Sequence, residues 1–379
     1  MFNKIDLKQL SLLTSPDRAF LSIYLNSAVS LSSMKKRIKE MEILLEDNKD
    51  EALYFQENMK TVEKYLKENP FLNGSLSIFS CWLLNYLEVY PLNVIVPDLL
   101  IVDSSPYIRP IAELKDEYEN FVVVALDNNM AKIFLITSGK VTSEEDIEGH
   151  IKNHVKKGGW SQQRYERRRD RELMEYSKEI IEYLLEMEKK EIFRRIILVG
   201  GREMITELKK KFPESLKKKL TGEKNLDLKK DERIINREIF ELFFIEERKS
   251  EKALWERIKS EFMTGGLGAI GHTWVLEEAK AGNIEKLIIN KHAKIEGIRC
   301  RNCDHLSGIT DNYLTGEPYD FCMGCESKDI FKVDLVNEIV EICAHINSEV
   351  DFAEDIPALS KIGDMAALLR YRPVEVLSY

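Results

Sequence analysis

The sequence has no apolar run of the ~18–20 residues that a membrane-spanning helix needs. Met1 to Leu13 offers neither a basic opening nor a long apolar core, so no signal peptide is expected and the cytoplasm is the expected compartment. Walker A chemistry is missing as well. Neither Gly200-Gly201 nor Gly265-Gly-Leu-Gly268 leads into a Lys-Ser or Lys-Thr at the required place. The second cluster also lacks the spacing of a dinucleotide fingerprint, and both read as tight turns between strand and helix. The six histidines include no HExxH arrangement, and spacing assigns no Ser-His-Asp set and no carboxylate pair. These absences exclude a P-loop nucleotidase and a zincin-type protease.

Cysteine is scarce too, with six in 379 residues, but four of them are ordered as Cys300-x2-Cys303-x18-Cys322-x2-Cys325. Cytosolic thiols stay reduced, so the set reads as metal ligands and not as a disulfide framework. Two knuckles that each present a pair of thiolates fit a tetrahedral zinc. With four protein ligands no position is left open, and the zinc is expected to be structural. His305 and Asp304 lie near but are not needed; His305 reads as a surface histidine. Cys81 and Cys343 sit in apolar surroundings and read as core thiols.

Charge argues against bulk nucleic-acid binding, since the formal net charge is −9. The average hides one segment. From Lys152 to Arg171 there are eight Lys or Arg and two acids, Glu166 and Asp170. Such a stretch is either an electrostatic footprint for phosphate or a solvated helix face.

Periodicity gives a mixed α/β chain in three domains. The first is expected over 1–115, with strands at Phe20–Leu25, Leu76–Phe79, Leu87–Tyr90 and Leu99–Val102, and one or two helices over Lys35–Leu66. The second is expected over 116–256. It has a hairpin of Phe121–Leu126 and Ala131–Ile136 and a polar, glycine-containing stretch from Val141 to Gly159. A helix from Gln162 to Lys189 buries Leu173, Tyr176, Ile180, Leu184 and Met187. Ile196–Val199 is a strand, and another helix covers Asp231–Phe262. The third domain is expected over 257–379, with a glycine-rich loop at Met263–Gly271, a helix at Val275–Ala281 and a strand at Leu287–Ile289. The cysteine ribbon is inserted over 298–328. A helix at Leu335–Asn347 is capped by Asp334, and a last helix ends at Ala366-Ala-Leu-Leu-Arg-Tyr371. Strands alternating with helices place the second and third domains among α/β sandwiches, in an α/β (α+β) chain.

The loop of chemical interest is 154–171, His154-Val-Lys-Lys-Gly-Gly-Trp-Ser-Gln-Gln-Arg-Tyr-Glu-Arg-Arg-Arg-Asp-Arg171. Gly158 and Gly159 permit close approach to another backbone. Lys156 and Lys157 before them, and Arg164, Arg167, Arg168 and Arg171 after them, suit a tip that moves among phosphates. Trp160 can stack on a base, and Gln162 and Gln163 carry amides for water or sugar hydroxyls. Taken alone, the pair equally fits a plain surface loop in which Ser161 caps the following helix.

The ordered combination resembles the archaeo-eukaryotic class-I peptide release factors and their Pelota-like relatives, over about residues 120–379. Ile196-Ile-Leu-Val-Gly-Gly201 is similar to the strand and turn of the family's middle domain. Thr264-Gly-Gly-Leu-Gly-Ala-Ile-Gly271, the cysteine pairs and Gly363-Asp-Met-Ala-Ala-Leu-Leu-Arg-Tyr371 are similar to its last domain. In that family a Gly-Gly-Gln tip enters the peptidyl-transferase centre and helps water cleave peptidyl-tRNA. Here Trp160 stands in place of that glutamine, and a glutamine returns at Gln162, which resembles the Vms-type branch. The first domain carries no Asn-Ile-Lys-Ser and no Tyr-x-Cys-x-x-x-Phe, so codon reading is not expected. The resemblance implies a ribosome-binding factor that enters the A site, with ribosomal RNA of the peptidyl-transferase centre and peptidyl-tRNA as partners, a translational GTPase as a further candidate, and no membrane. It implies Gly158, Gly159 and Gln162 as the reactive tip, with Lys156, Lys157, Trp160, Gln163 and the arginines on RNA. Two activities stay open: codon-independent hydrolysis of peptidyl-tRNA in rescue, or occupancy without chemistry, as in Balon-type hibernation factors. A Pelota-like splitting role is a third.

Overall fold

The computed structural model describes residues 5–26, 30–70, 74–92, 94–127, 130–137, 140–148, 160–190, 192–227, 232–309, 320–354 and 356–372. The chain divides into two compact units, Met1–Glu117 together with Glu251–Tyr379, and Tyr118–Ser250. Its architecture is mixed α/β throughout.

The first unit begins with helix α1 (Leu7–Ser11), whose first N–H groups are accepted by the Asp6 carboxylate. Strand β1 (Phe20–Leu25), the single turn α2 (Ser30–Ser33) and helices α3 (Lys35–Leu45) and α4 (Lys49–Glu68) follow. The expected helical stretch is cut in two by Asn48, which is extended and accepts from the N–H groups of Asp50 and Glu51. Strands β2 (Ser75–Cys81), β3 (Tyr86–Leu92) and β4 (Leu99–Asp103) complete an antiparallel sheet of order β3-β2-β1-β4, and α5 (Arg109–Glu117) ends this part. Leu21, Ile23 and Ile78 on one face of the sheet meet Phe55, Met59 and Val62 of α4. Each such side chain contributes roughly 1.5–3 kcal/mol by leaving water.

In the second unit Phe121-Val-Val-Val-Ala-Leu126 contains no polar residue because its strand, β5, is covered on both sides. Strands β6 (Met130–Thr137) and β7 (Lys140–Glu148) pair with it in antiparallel sequence. After helix α6 (Trp160–Lys189) come β8 (Arg195–Gly200), α7 (Arg202–Lys211), α8 (Glu214–Lys219), β9 (Leu220–Asn225) and α9 (Glu232–Met263), which runs on into the first unit. β5, β8 and β9 are parallel, and the order is β7-β6-β5-β8-β9. Val122, Val124 and Leu126 pack under Leu173, Tyr176, Ile180, Leu184 and Met187 of α6. Phe121, Val123 and Ala125 face Ile239 and Phe243 of α9, with Phe121 stacked on Phe243 at 4.2 Å between centroids.

The rest of the first unit holds a sheet of order β10-β16-β11-β15. It is built from β10 (Gly268–Ile270), β11 (Ile284–Asn290), β15 (Glu349–Ala353) and β16 (Met365–Leu369), with helices α10 (His272–Lys280), α11 (Leu335–His345) and α12 (Pro357–Lys361). A smaller antiparallel sheet, β13-β12-β14, joins β12 (Glu296–Cys300), β13 (Leu306–Gly308) and β14 (Ile330–Asp334).

Three segments depart from the sequence reading. Residues 141–148, expected as part of a polar loop, form strand β7, whose partner β6 supplies the apolar side of the pair. Residues 220–225 form the edge strand β9, which its Gly, Glu, Lys and Asn content conceals. Met365-Ala-Ala-Leu-Leu369, expected as the last helix, is an inner strand between β10 and β11 with every residue buried. Its composition favours helix; burial on two faces of a sheet overrides that preference.

Buried polar groups tie the two parts of the first unit. Asn337 of α11 accepts the N–H groups of Ile108 and Arg109 at 2.9 and 3.0 Å and donates to Glu341 at 2.6 Å. The Ser105 hydroxyl donates to Glu341 at 2.8 Å. Tyr107 donates to Asp334, the cap of α11, at 2.7 Å. Asp103, Glu338 and Glu341 are all buried, and Arg299 pairs with Glu338. Burial pushes Asp103 up to about 6. It pushes Glu338 up to about 7 against the opposing charge of Arg299. It raises Glu341 well above the usual carboxylate range, with the Glu338 charge adding to the effect.

The three carboxyl groups have folded values above their unfolded ones of about 4. The stability they contribute is therefore complete below pH ~4 and is lost as pH rises through 6 and 7. The melting transition of this unit should fall by several degrees between pH 5 and pH 8, and Glu341→Gln should flatten that profile. In the other unit Gly200 has φ +136°, and a Cβ there would lie 1.9 Å from the Leu126 carbonyl oxygen, whereas nothing lies within 4 Å of one at Gly201. Gly200→Ala should destabilise by about 3 kcal/mol or more, while Gly201→Ala should stay near neutral in the same denaturant titration.

Candidate functional site

The four cysteines of the two knuckles converge. Their sulfur atoms all lie within 4.8 Å of one another. Cys300 Sγ is 3.6 Å from Cys325 Sγ, and Cys303 Sγ is 3.5 Å from Cys322 Sγ. A disulfide would hold sulfurs at ~2.05 Å, whereas four thiolates ~2.3 Å from one ion stand ~3.8 Å apart. The observed spacing fits a tetrahedral metal centre. β12 delivers Cys300 at its end and the turn Cys300–Cys303 brings back the second ligand, with Asp304 N–H bonded to the Cys300 carbonyl at 2.9 Å. The second knuckle closes in the same way, Glu326 N–H to the Cys322 carbonyl at 2.8 Å. Asp304 and Glu326 both have positive φ, which lets each turn fold sharply.

Second-layer donors stabilise thiolate charge. Gly324 N–H points to Cys322 Sγ at 3.3 Å and the Asn302 amide to Cys325 Sγ at 3.4 Å. The Asn302 bond is the first cause that lowers Cys325 to about 6. Neither Asp304 nor His305 is in the cluster: Asp304 pairs with Arg299 at 2.9 Å.

Sequence reasoning missed Arg301, which sits inside the first knuckle. Its guanidinium pairs with Glu51 of α4 and reaches Asp17 at 3.4 Å and Asp329 at 3.1 Å. It lies 4.7 Å from the Phe331 ring centre. Glu51 is 2% exposed and also accepts the Arg18 N–H at 3.3 Å. An arginine between two ligand cysteines is visible in sequence, but its partner stands 250 residues away and is not.

The second candidate site is the diglycine loop. Lys156, Lys157, Gly158 and Gly159 lie outside the described residues, as do the side chains of Trp160, Gln162, Gln163, Arg164, Arg167 and Arg168. The backbone from Trp160 on is helical and opens α6, two residues before the expected start. Arg171 is exposed and Leu173 is the first described core residue of α6.

A family model described as bacterial archaeo-eukaryotic release factor family 10 matches residues 106–240, a span that includes the diglycine loop and all of α6. The chain is 22% identical over 295 residues to peptide chain release factor subunit 1 of Methanococcoides burtonii, covering 71% of this chain and 70% of that one. It is 27% identical over 320 residues to the protein of the same description from Methanococcus maripaludis, covering 76% and 75%. Among solved structures, Saccharomyces cerevisiae Dom34, a translation termination-like factor that interacts with Hbs1, aligns over 77% of this chain and 75% of its own at 14% identity and a TM-score of 0.40. Residues 106–240 are thus similar to one release-factor family, and about three quarters of the chain is similar to archaeal peptide chain release factors. Among the described residues, no helix is long and apolar enough to cross a membrane.

Removing Arg301 would leave the Glu51 carboxylate buried without its guanidinium. Arg301→Ala should destabilise the first unit by about 3 kcal/mol in a denaturant titration, and adding Glu51→Gln should recover a large part of the loss.

Proposed function

We propose that this chain is a ribosome-binding translation factor that enters the A site and promotes codon-independent hydrolysis of peptidyl-tRNA. The observation that carries the reading is the family match over 106–240, which takes in Gly158, Gly159 and Gln162 together with the sheet that anchors α6. The relatives named above are peptide chain release factors, and release is the hydrolysis of one ester. Water adds to the ester carbonyl, the bond to the terminal ribose oxygen breaks, and peptide acid and a free tRNA hydroxyl leave.

The chain's own residues have limited work to do in that step. Gly158 and Gly159 give the tip its narrow backbone, Lys156 and Lys157 lead it among phosphates, and the Gln162 amide orients water or the ribose hydroxyl. In an α-helix Gln162 lies roughly 16 Å along the axis from Leu173, the first described core residue of α6. The helix N-terminus adds a partial positive charge next to Trp160. Trp160, Gln163, Arg164, Arg167, Arg168 and Arg171 would bind RNA. Cys300, Cys303, Cys322 and Cys325 would hold a structural zinc with a closed shell, which makes the sheet β13-β12-β14 an inserted zinc ribbon. The division into domains 1–115, 116–256 and 257–379, a GTPase partner and a cytoplasmic location belong to the same proposal.

Trp160 favours a second reading. It occupies the place of the family's glutamine, and a factor with that change would fill the A site in resting cells without cutting the ester.

Ribosomes carrying labelled peptidyl-tRNA and no stop codon separate the two. The expected outcome is co-sedimentation together with peptide release, slowed about a hundredfold by Gln162→Ala and strongly by Gly158→Ala. Co-sedimentation with no release establishes the hibernation reading, and failure to bind ribosomes at low salt removes both. The purified protein should also carry zinc at one equivalent per chain by elemental analysis, lost in Cys300→Ser/Cys322→Ser.

A further inference from the structure

One surface of the first unit is formed by residues that belong to neither candidate site. The β2–β3 connection is a single 3₁₀ turn, Trp82–Leu84, in which three consecutive large apolar residues are 45%, 45% and 50% exposed. Isolated apolar residues on a surface are ordinary, but a contiguous exposed run at the end of a hairpin marks a contact surface.

This tip is held in place. The Asn58 side chain, 1% exposed, accepts the Trp82 N–H at 2.8 Å and the Ser80 hydroxyl at 2.9 Å, and donates to the Ala19 carbonyl at 2.9 Å. Asn85 closes the turn in the left-handed region, φ +49°. The Tyr54 ring of α4 lies 6.4 Å from the Trp82 ring, and Tyr54 and Tyr86 both pack on the cluster of Ala19, Phe20 and Cys81 beneath. Pre-ordering of this kind lowers the entropy lost on binding.

Acidic groups stand beside it. Burial, then the charges of Asp50 and Asp17, hold the Tyr54 phenol above its usual range. Burial, then Tyr90 and Glu88, do the same at Tyr86. Asp17 is partly engaged by Arg301 at 3.4 Å, but Asp50 and Glu88 are exposed. An acidic rim repels a phosphate backbone, and it repels a second copy of a chain with net charge −9. It complements a basic protein.

We infer that the Trp82–Leu83–Leu84 tip docks a basic, leucine-rich segment of a partner protein, with apolar side chains against the turn and lysines or arginines over Asp50 and Glu88.

Anisotropy with three fluorescein-labelled probes tests this on the full chain: a short peptide of leucines and lysines, its counterpart with glutamate for lysine, and an oligouridine RNA. The basic peptide should bind, at least tenfold more tightly than to Leu83→Ser/Leu84→Ser. Asp50→Asn/Glu88→Gln should weaken it severalfold and flatten its salt dependence. Leu83→Lys is the substitute if the double serine variant melts early, with the same expected loss. The inference is overturned if the wild-type chain ignores the basic peptide, or if the tip variants bind it as well as wild type does. It is also overturned if RNA binds and is lost in those variants, or if the tip proves to drive dimerisation in sedimentation velocity.

Discussion

Burying charge is what commits the first unit to its arrangement. Its two chain segments are separated by the 133 residues of Tyr118–Ser250, and their apolar faces alone would tolerate many packings. Glu51, Glu338, Glu341 and Asp103 do not tolerate them. Each is buried, and a buried carboxyl without a partner or a proton costs several kcal/mol. Only one docking supplies Arg301 to Glu51, Arg299 to Glu338 and Ser105 with Asn337 to Glu341. The fixed position of the amino-terminal sheet thus rests on partners that the later part of the chain brings.

That constraint also reaches the cysteine centre. Arg299 and Arg301 flank Cys300, and both are spent on buried acids. The knuckle is therefore a joint as well as a ligand turn. A tetrahedral ion would fix the knuckle backbone, which in turn would fix the reach of both guanidinium groups. This explains in physical terms why a closed, chemically inert centre would sit there: its service is geometric.

The elements that were legible in the sequence are those in which local pattern and tertiary environment agree. β5 and β6 declare themselves as two apolar runs around a polar turn, α6 by its three- and four-residue apolar steps, and the cap of α11 by Asp334, which accepts the Val336 N–H. The clustering of the four cysteines was legible because both knuckles are local turns. What could not be read depends on distant contacts. β16 is written in helix-forming residues and becomes a strand because β10 and β11 flank it. β9 is too polar to announce itself and is recruited by β8. Glu51 looks like any solvated acid of an amphipathic helix until Arg301 is placed beside it.

For the diglycine loop the informative feature is where its helix starts. Because α6 is helical from Trp160, residues 160 and 162 are separated by two steps of about 100°, on nearly opposite azimuths. Position 162 falls in line with 166, 169 and Leu173, which begins the core-facing stripe. Position 160 falls in line with 163, 164, 167 and 171, which are Gln163, Arg164, Arg167 and Arg171, while Arg169 shares the line of 162. Trp160 and Gln162 thus open two different lines of the helix, each of which carries arginine. On the proposed roles, the RNA contact of Trp160 and the ester contact of Gln162 would lie on different sides of one helix. Substituting Trp160 would then loosen binding without touching the amide that the hydrolytic reading needs, and the two proposed activities become separable within a single turn.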